Sequence, residues 1–247
     1  MIKYVLESFS TVGLAFGRNV FGTLALGIVL LVKRIPLPNR MSEWRHIAIS
    51  AVLLNALPGF LFAVGETQVT SIMAGMINAT TPIMTVLIMS LAFREQPVTA
   101  NQVLGISLGL LGISLLTGAW SGIQGNHWQG VLALLGATLS YGLSMPYSKR
   151  YISSLPYSAT SIAAAQVISA MVLLAPFALA FGMTSAAINT RALTSLVLLG
   201  AVATGFAYIW NFNNIKYAGG AVASTVTYVT PVVAVVLGAV LLGERVS

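Results

Sequence analysis

Apolar runs of roughly 20 residues follow one another along nearly the whole chain, separated only by short polar connections. They cover about 12–33, 46–64, 70–92, 102–119, 128–148, 158–181, 192–212 and 219–242. Each is long enough to cross a hydrocarbon core of ~30 Å as a helix. Inside lipid no water satisfies backbone N–H and C=O groups, so runs of this length can only be helices that bond internally. The sequence therefore predicts an all-α integral membrane protein with eight transmembrane helices. Composition agrees: 7% of residues are charged and 57% apolar, where soluble domains carry about 25% charged residues. No cleavable signal peptide is evident at Met1, and the absence of cysteine excludes disulfides and thiolate metal sites.

The net charge of +7 is a topology signal in such a chain rather than a nucleic-acid footprint. Lys33, Arg34, Arg40, Arg45, Arg94, Lys149, Arg150 and Lys216 all fall in alternate connections. The opposite connections hold only Lys3, Arg191 and Arg245. An excess of Lys and Arg marks the cytoplasmic side, so the first span runs from outside to inside.

Two stretches 149 residues apart repeat one another: AGMINATTPIMTVLIMSLAFREQPV at 74–98 and ASTVTYVTPVVAVVLGAVLLGERVS at 223–247. Ala74/Ala223, Thr81/Thr230, Pro82/Pro231, Val86/Val235 and Glu95/Glu244 coincide. Such internal periodicity sets the architecture. The copies are the third and eighth spans, an odd number apart, so they cross the membrane in opposite directions. Inverted repeats of this kind build many secondary transporters, with the substrate site near the midplane between the halves. The same offset carried outward calls for one helix before residue 1 and another near 251–268. The expected whole is ten helices in two inverted five-helix repeats. Here the first repeat would occupy 1–119 without its first helix, and the second 120–247 without its last.

The two Pro-to-Glu helices (Pro82…Arg94-Glu95 and Pro231…Gly243-Glu244), Ala15-Phe16-Gly17-Arg18 opening a span, and Leu104-Gly105…Gly109…Gly112 resemble the drug/metabolite transporter superfamily in its EamA-type branch. The resemblance covers essentially all 247 residues. It implies an inner-membrane carrier of amino acids, other metabolites or drugs, often an exporter. The rival reading is a truncated or helper membrane protein without transport of its own. A sugar or nucleotide-sugar carrier ranks lower, since nucleotide sugars ask for more cavity cations than one arginine.

Ionisable groups within a span are costly and read first as functional. Arg18, about two turns into the first span, is the one such residue, and a guanidinium suits a carboxylate. Its alternatives are snorkelling to the outer interface or bonding the backbone near Gly17. Gln166 stands at almost the matching place in the second half. Pro82 and Pro231 each break a helix and free the carbonyl four residues back, which belongs to Asn78 and Thr227. With Asn55, Thr81, Tyr141, Tyr208 and Tyr228 these residues are the expected lining of the substrate path. Proline kinks serving helix packing alone are the alternative. Trp210 is either part of an aromatic wall or an interfacial anchor, and Trp44, Trp120 and Trp128 are anchors. All five carboxylates, Glu7, Glu43, Glu66, Glu95 and Glu244, fall at helix ends. No metal, cofactor or ATPase signature is present. The expected partners are the lipid bilayer and a small-molecule substrate, with no nucleic acid; a homodimer stays open.

Overall fold

The computed structural model describes residues 1–93, 99–116, 127–184 and 187–229, and these are helical almost throughout. A short α1 (Ile2–Leu6) leads into α2 (Thr11–Lys33). The second span is α3 (Met41–Ala51), a π-helical turn (Val52–Ala56) and α4 (Leu57–Glu66). The third is α5 (Ser71–Asn78), α6 (Thr81–Ile88) and a second π turn (Met89–Phe93). Then come α7 (Ala100–Leu116), α8 (Trp128–Tyr151) and α9 (Ala159–Phe181). The last described elements are α10 (Thr190–Gly200), a π turn (Ala201–Phe206), α11 (Ala207–Ala218), α12 (Gly220–Ser224) and a 3₁₀ turn (Thr225–Tyr228). Among the described residues there is no strand, only an isolated bridge between Phe9 and Thr184.

Among the described residues, five helical stretches are long and apolar enough to span a membrane: Thr11–Lys33, Met41–Glu66, Met73–Phe93, Ala159–Phe181 and Thr190–Ala218. Their exposed faces suit lipid. On α2 the outward residues are Leu24, Ile28, Leu31 and Val32, and on α9 they include Val172, Phe177 and Phe181. The i, i+4, i+7 spacing makes a continuous apolar stripe, of a kind and size that water would not tolerate.

Helix ends recur along the chain with the spacing seen in the sequence. α2 and α9 are both 23 residues long and begin 148 residues apart. Each starts on a serine N-cap whose side chain accepts from the third residue on: Ser10 from the Gly13 amide at 2.9 Å, Ser158 from the Ser161 amide at 3.2 Å. Each closes on a residue with positive φ, Arg34 (52°) and Gly182 (79°). α3 and α10 are both 11 residues long, start 149 residues apart, and each runs into a π turn. Ala74 and Ala223, paired in the sequence repeat, are both buried. Arg94 and Glu95 of the first copy, and Thr230, Pro231 and Glu244 of the second, lie outside the described residues, as does Trp120.

Small residues let the helices approach closely, as membrane interfaces require when lipid offers no hydrophobic drive for association. A Cβ on Gly200 would fall 2.7 Å from the Arg18 carbonyl oxygen, and one on Gly142 would fall 2.8 Å from the Met84 carbonyl carbon. Gly22 meets Val167 and the Gly200 carbonyl in the same way. These contacts lock α2 to α9 and α10, and α8 to α6. Gly27 of α2 has open space around its Cβ position. Gly200→Ala and Gly142→Ala should each lower stability by about 1–3 kcal/mol through overpacking. Gly27→Ala should be neutral or raise it by up to about 1 kcal/mol. Thermal unfolding of the detergent-purified protein checks all three, and a loss at Gly27 equal to the others would contradict this packing.

Candidate functional site

Arg18 lies in the third turn of α2, half-buried against α10 and the second span. Its Nε donates to Thr204 Oγ1 at 3.0 Å, and the Thr204 hydroxyl donates onward to the Leu199 carbonyl at 2.9 Å. Thr204 is fully buried in the π turn that follows α10. The guanidinium lies beside Gly59, where a Cβ would stand in ordinary contact with Nη1 at 3.7 Å. Among the described residues no carboxylate pairs with Arg18. The Tyr141 and Tyr208 hydroxyls lie close enough to feel its charge. A threonine from another helix, rather than the backbone near Gly17, accepts from the Arg18 side chain.

The second span is broken beside Arg18, at a proline the sequence reading did not single out. Pro58 has no N–H, so the Leu54 carbonyl four residues back loses its helical partner. The π turn widens the gap, because a five-residue bond from Leu53 would also need the Pro58 amide. Two other helices fill both vacancies. Ser140 Oγ of α8 donates to the Leu53 carbonyl at 2.8 Å, and the Tyr208 hydroxyl of α11 donates to the Leu54 carbonyl at 3.1 Å. The rule that pointed to Asn78 from Pro82 points equally to Leu54 from Pro58, so this break was within reach of the sequence. Which side chains would repair it was not.

Asn55 sits in that break at 2% exposure, with neither its amide nitrogen nor its amide oxygen bonded. Deeper in the bundle, Gln166 Nε2 donates to Ser50 Oγ at 2.9 Å, and Ser50 Oγ lies 2.8 Å from Ser148 Oγ. This chain ties α9 to α3 and α8. Gln166 Oε1, Ser144 Oγ one turn from Ser148, and Asn19 Oδ1 and Thr23 Oγ1 on α2 are buried without a partner. Polar groups left unbonded at membrane depth are expensive. They are concentrated on α2, the second span, α8 and α9, as a polar seam among those helices.

The remaining predicted residues divide. The carbonyl that Pro82 frees already accepts one bond, from Thr81 Oγ1 to the Asn78 carbonyl at 2.7 Å. Thr81 and Pro82 are buried, and the helix restarts at Thr81 with the proline in its first turn. In the second copy Thr227 Oγ1 donates to the Ser224 carbonyl at 2.9 Å, and the Tyr228 hydroxyl donates to the Ile106 carbonyl of α7 at 3.4 Å. Tyr228 thus stands apart from Tyr141 and Tyr208, which pack against one central core cluster. Trp210 and Trp128 are each 67% exposed, as interfacial anchors are, while Trp44 Nε1 donates to the Pro38 carbonyl at 2.9 Å. Among the described residues no three His, Cys, Asp or Glu side chains cluster as metal ligands would.

Known proteins share this arrangement of helices. Residues 1–118 and 128–247 each match the EamA-like transporter family. The chain belongs to that family. The inner membrane transporter YedA of Escherichia coli K12 is 30% identical over 232 residues, covering 91% of this chain and 72% of YedA. The transporter YdfC of Bacillus subtilis is 26% identical, covering 98% of this chain and 78% of its own length. A crystal structure at 19% identity superposes with a TM-score of 0.74 over 96% of this chain and 81% of the other, which supports the fold. This EamA protein is accordingly a multi-pass inner-membrane transporter and not an enzyme. Its helices, unlike those of a soluble bundle, must satisfy every broken backbone bond from within. Tyr208→Phe and Ser140→Ala, which strip the repairs from Leu54 and Leu53, should each cost about 0.6–1.7 kcal/mol, the range of interhelical bonds in membranes. Thermal unfolding in detergent measures this, with Tyr217→Phe on the exposed end of α11 expected to change nothing.

Proposed function

We propose that this EamA protein moves small metabolites such as amino acids or drugs across the inner membrane by alternating access, with export the favoured direction. Its two repeats, over 1–119 and 120–247, cross the bilayer in opposite senses and rock about a site between them. Arg18 takes the carboxylate of the substrate. Asn55, beside it in the break at Pro58, and Gln166, deeper in the seam, take its polar remainder, and Tyr141 and Tyr208 close over its apolar part. Asn78, Thr81 and Pro82 form the hinge of the third span, as Thr227, Tyr228 and Pro231 do in the eighth.

The observation that carries this reading is a guanidinium held by Thr204, with no carboxylate partner among the described residues, beside the broken helix whose Asn55 amide is buried with both ends unbonded. A charge so placed is costly unless a ligand shares the cost. Thr204 fixes Arg18 by one nitrogen, which leaves the two terminal nitrogens for a bidentate carboxylate. Asn55 lies one turn before Gly59, beside which Nη1 stands. One turn is about 5.4 Å, a separation that a small zwitterion bridges.

Transport of a labelled amino acid panel, each beside its amide analogue, tests the assignment in cells and in proteoliposomes. Arg18→Ala should reduce movement of the carboxylated members about 10- to 100-fold, the loss of a charge-assisted bond. The amide analogues should change far less, and Arg18→Lys should recover only part of the rate. Wild-type rates in Arg18→Ala would sink the assignment.

A further inference from the structure

At the basic end of the bundle, α3 and α8 carry a cluster that the transport site does not use. His46 Nδ1 lies 2.8 Å from the Tyr147 hydroxyl, and its ring stacks on Tyr151 with centroids 4.9 Å apart and planes 3° from parallel. Tyr147 and Tyr151 meet at 4.8 Å. The Arg150 guanidinium stands 5.6 Å from the Tyr151 ring centre, and Arg45 is close enough for its charge to act on Tyr147. Both arginines are exposed. Among the described residues no carboxylate pairs with either. Glu43, the acid nearest Arg45 in sequence, is buried; its Oε2 accepts from the Tyr157 hydroxyl at 2.9 Å and the Arg40 amide at 3.3 Å.

Arg45, Ile49 and Val52 follow at i, i+4 and i+7 and are all exposed. One helical face thus carries a guanidinium at the bundle's end and aliphatic side chains below it toward the midplane. We propose that this surface is a binding site for an anionic phospholipid, its phosphate held between Arg45 and Arg150 over the His46–Tyr147–Tyr151 rings, and an acyl chain lying along Ile49 and Val52. Aromatic rings favour headgroup depth, and basic pockets between helices at the cytoplasmic side take anionic headgroups. A soluble anion would use the two arginines and leave the aliphatic face idle, so the lipid matches more of what is present.

Native mass spectrometry of the full chain in detergent, titrated with phosphatidylglycerol or phosphatidylcholine, tests this. The wild type should retain phosphatidylglycerol about 30-fold more strongly, the contribution of two arginines near a charged surface. Arg45→Gln/Arg150→Gln should bring the two lipids level. Lys33→Gln/Arg34→Asn removes the same charge from the neighbouring connection and should keep the preference. Both double variants alter exposed side chains, and helical content by circular dichroism confirms that they fold. Equal retention of the two lipids by wild type, an unchanged preference in Arg45→Gln/Arg150→Gln, or an equal loss in the control overturns the proposal. So does displacement of the lipid by excess inorganic phosphate, which would make the site one for a free anion.

Discussion

A polypeptide inside hydrocarbon has no water to complete a broken hydrogen bond, and the structure of this protein is arranged around that constraint. Uninterrupted helices meet it alone. Interrupted ones depend on their neighbours, and the second span shows how. Pro58 and the π turn before it leave the Leu53 and Leu54 carbonyls without amides, and Ser140 and Tyr208 supply hydroxyls from α8 and α11. Because each repair comes from another helix, the break also fixes how those helices pack. The third span uses the local solution instead: Thr81 turns its own hydroxyl back to the Asn78 carbonyl.

The same constraint gives the unrepaired groups their meaning. Arg18 is positioned by Thr204 but faces no acid among the described residues, and Asn55 is buried with nothing bonded to either end of its amide. These side chains are left open while hydroxyls cover the Leu53, Leu54 and Asn78 carbonyls. The close glycine contacts at Gly22, Gly142 and Gly200 bring the backbones of neighbouring helices together.

Much of the fold was legible in the residues. The run at 12–33 became α2 over Thr11–Lys33, and 158–181 became α9 over Ala159–Phe181, because a lipid-length apolar stretch has no alternative to helix. The second span begins earlier than its apolar run, at Met41, since Glu43 is buried by the Tyr157 and Arg40 bonds instead of standing in water. Arg18 stood out as a charge where charges are expensive, and Gln166 as its counterpart. The π turns did not stand out, because one extra residue per turn leaves hydropathy unchanged. The Ser50–Ser148–Gln166 chain was equally hidden: serines are common in membrane helices, and only the meeting of three helices makes these a unit.

The sequence by itself determined that this chain lies in a membrane, and that stretches such as 12–33 and 158–181 are helices. Those outcomes follow from solvent and from covalent geometry, which act on each segment separately. The tertiary structure decided which hydroxyls reach the Leu53, Leu54 and Asn78 carbonyls, and that Thr204 holds Arg18. These depend on which helix faces meet at which depth. That register is set by close packing of small residues over the whole bundle, and no single segment encodes it.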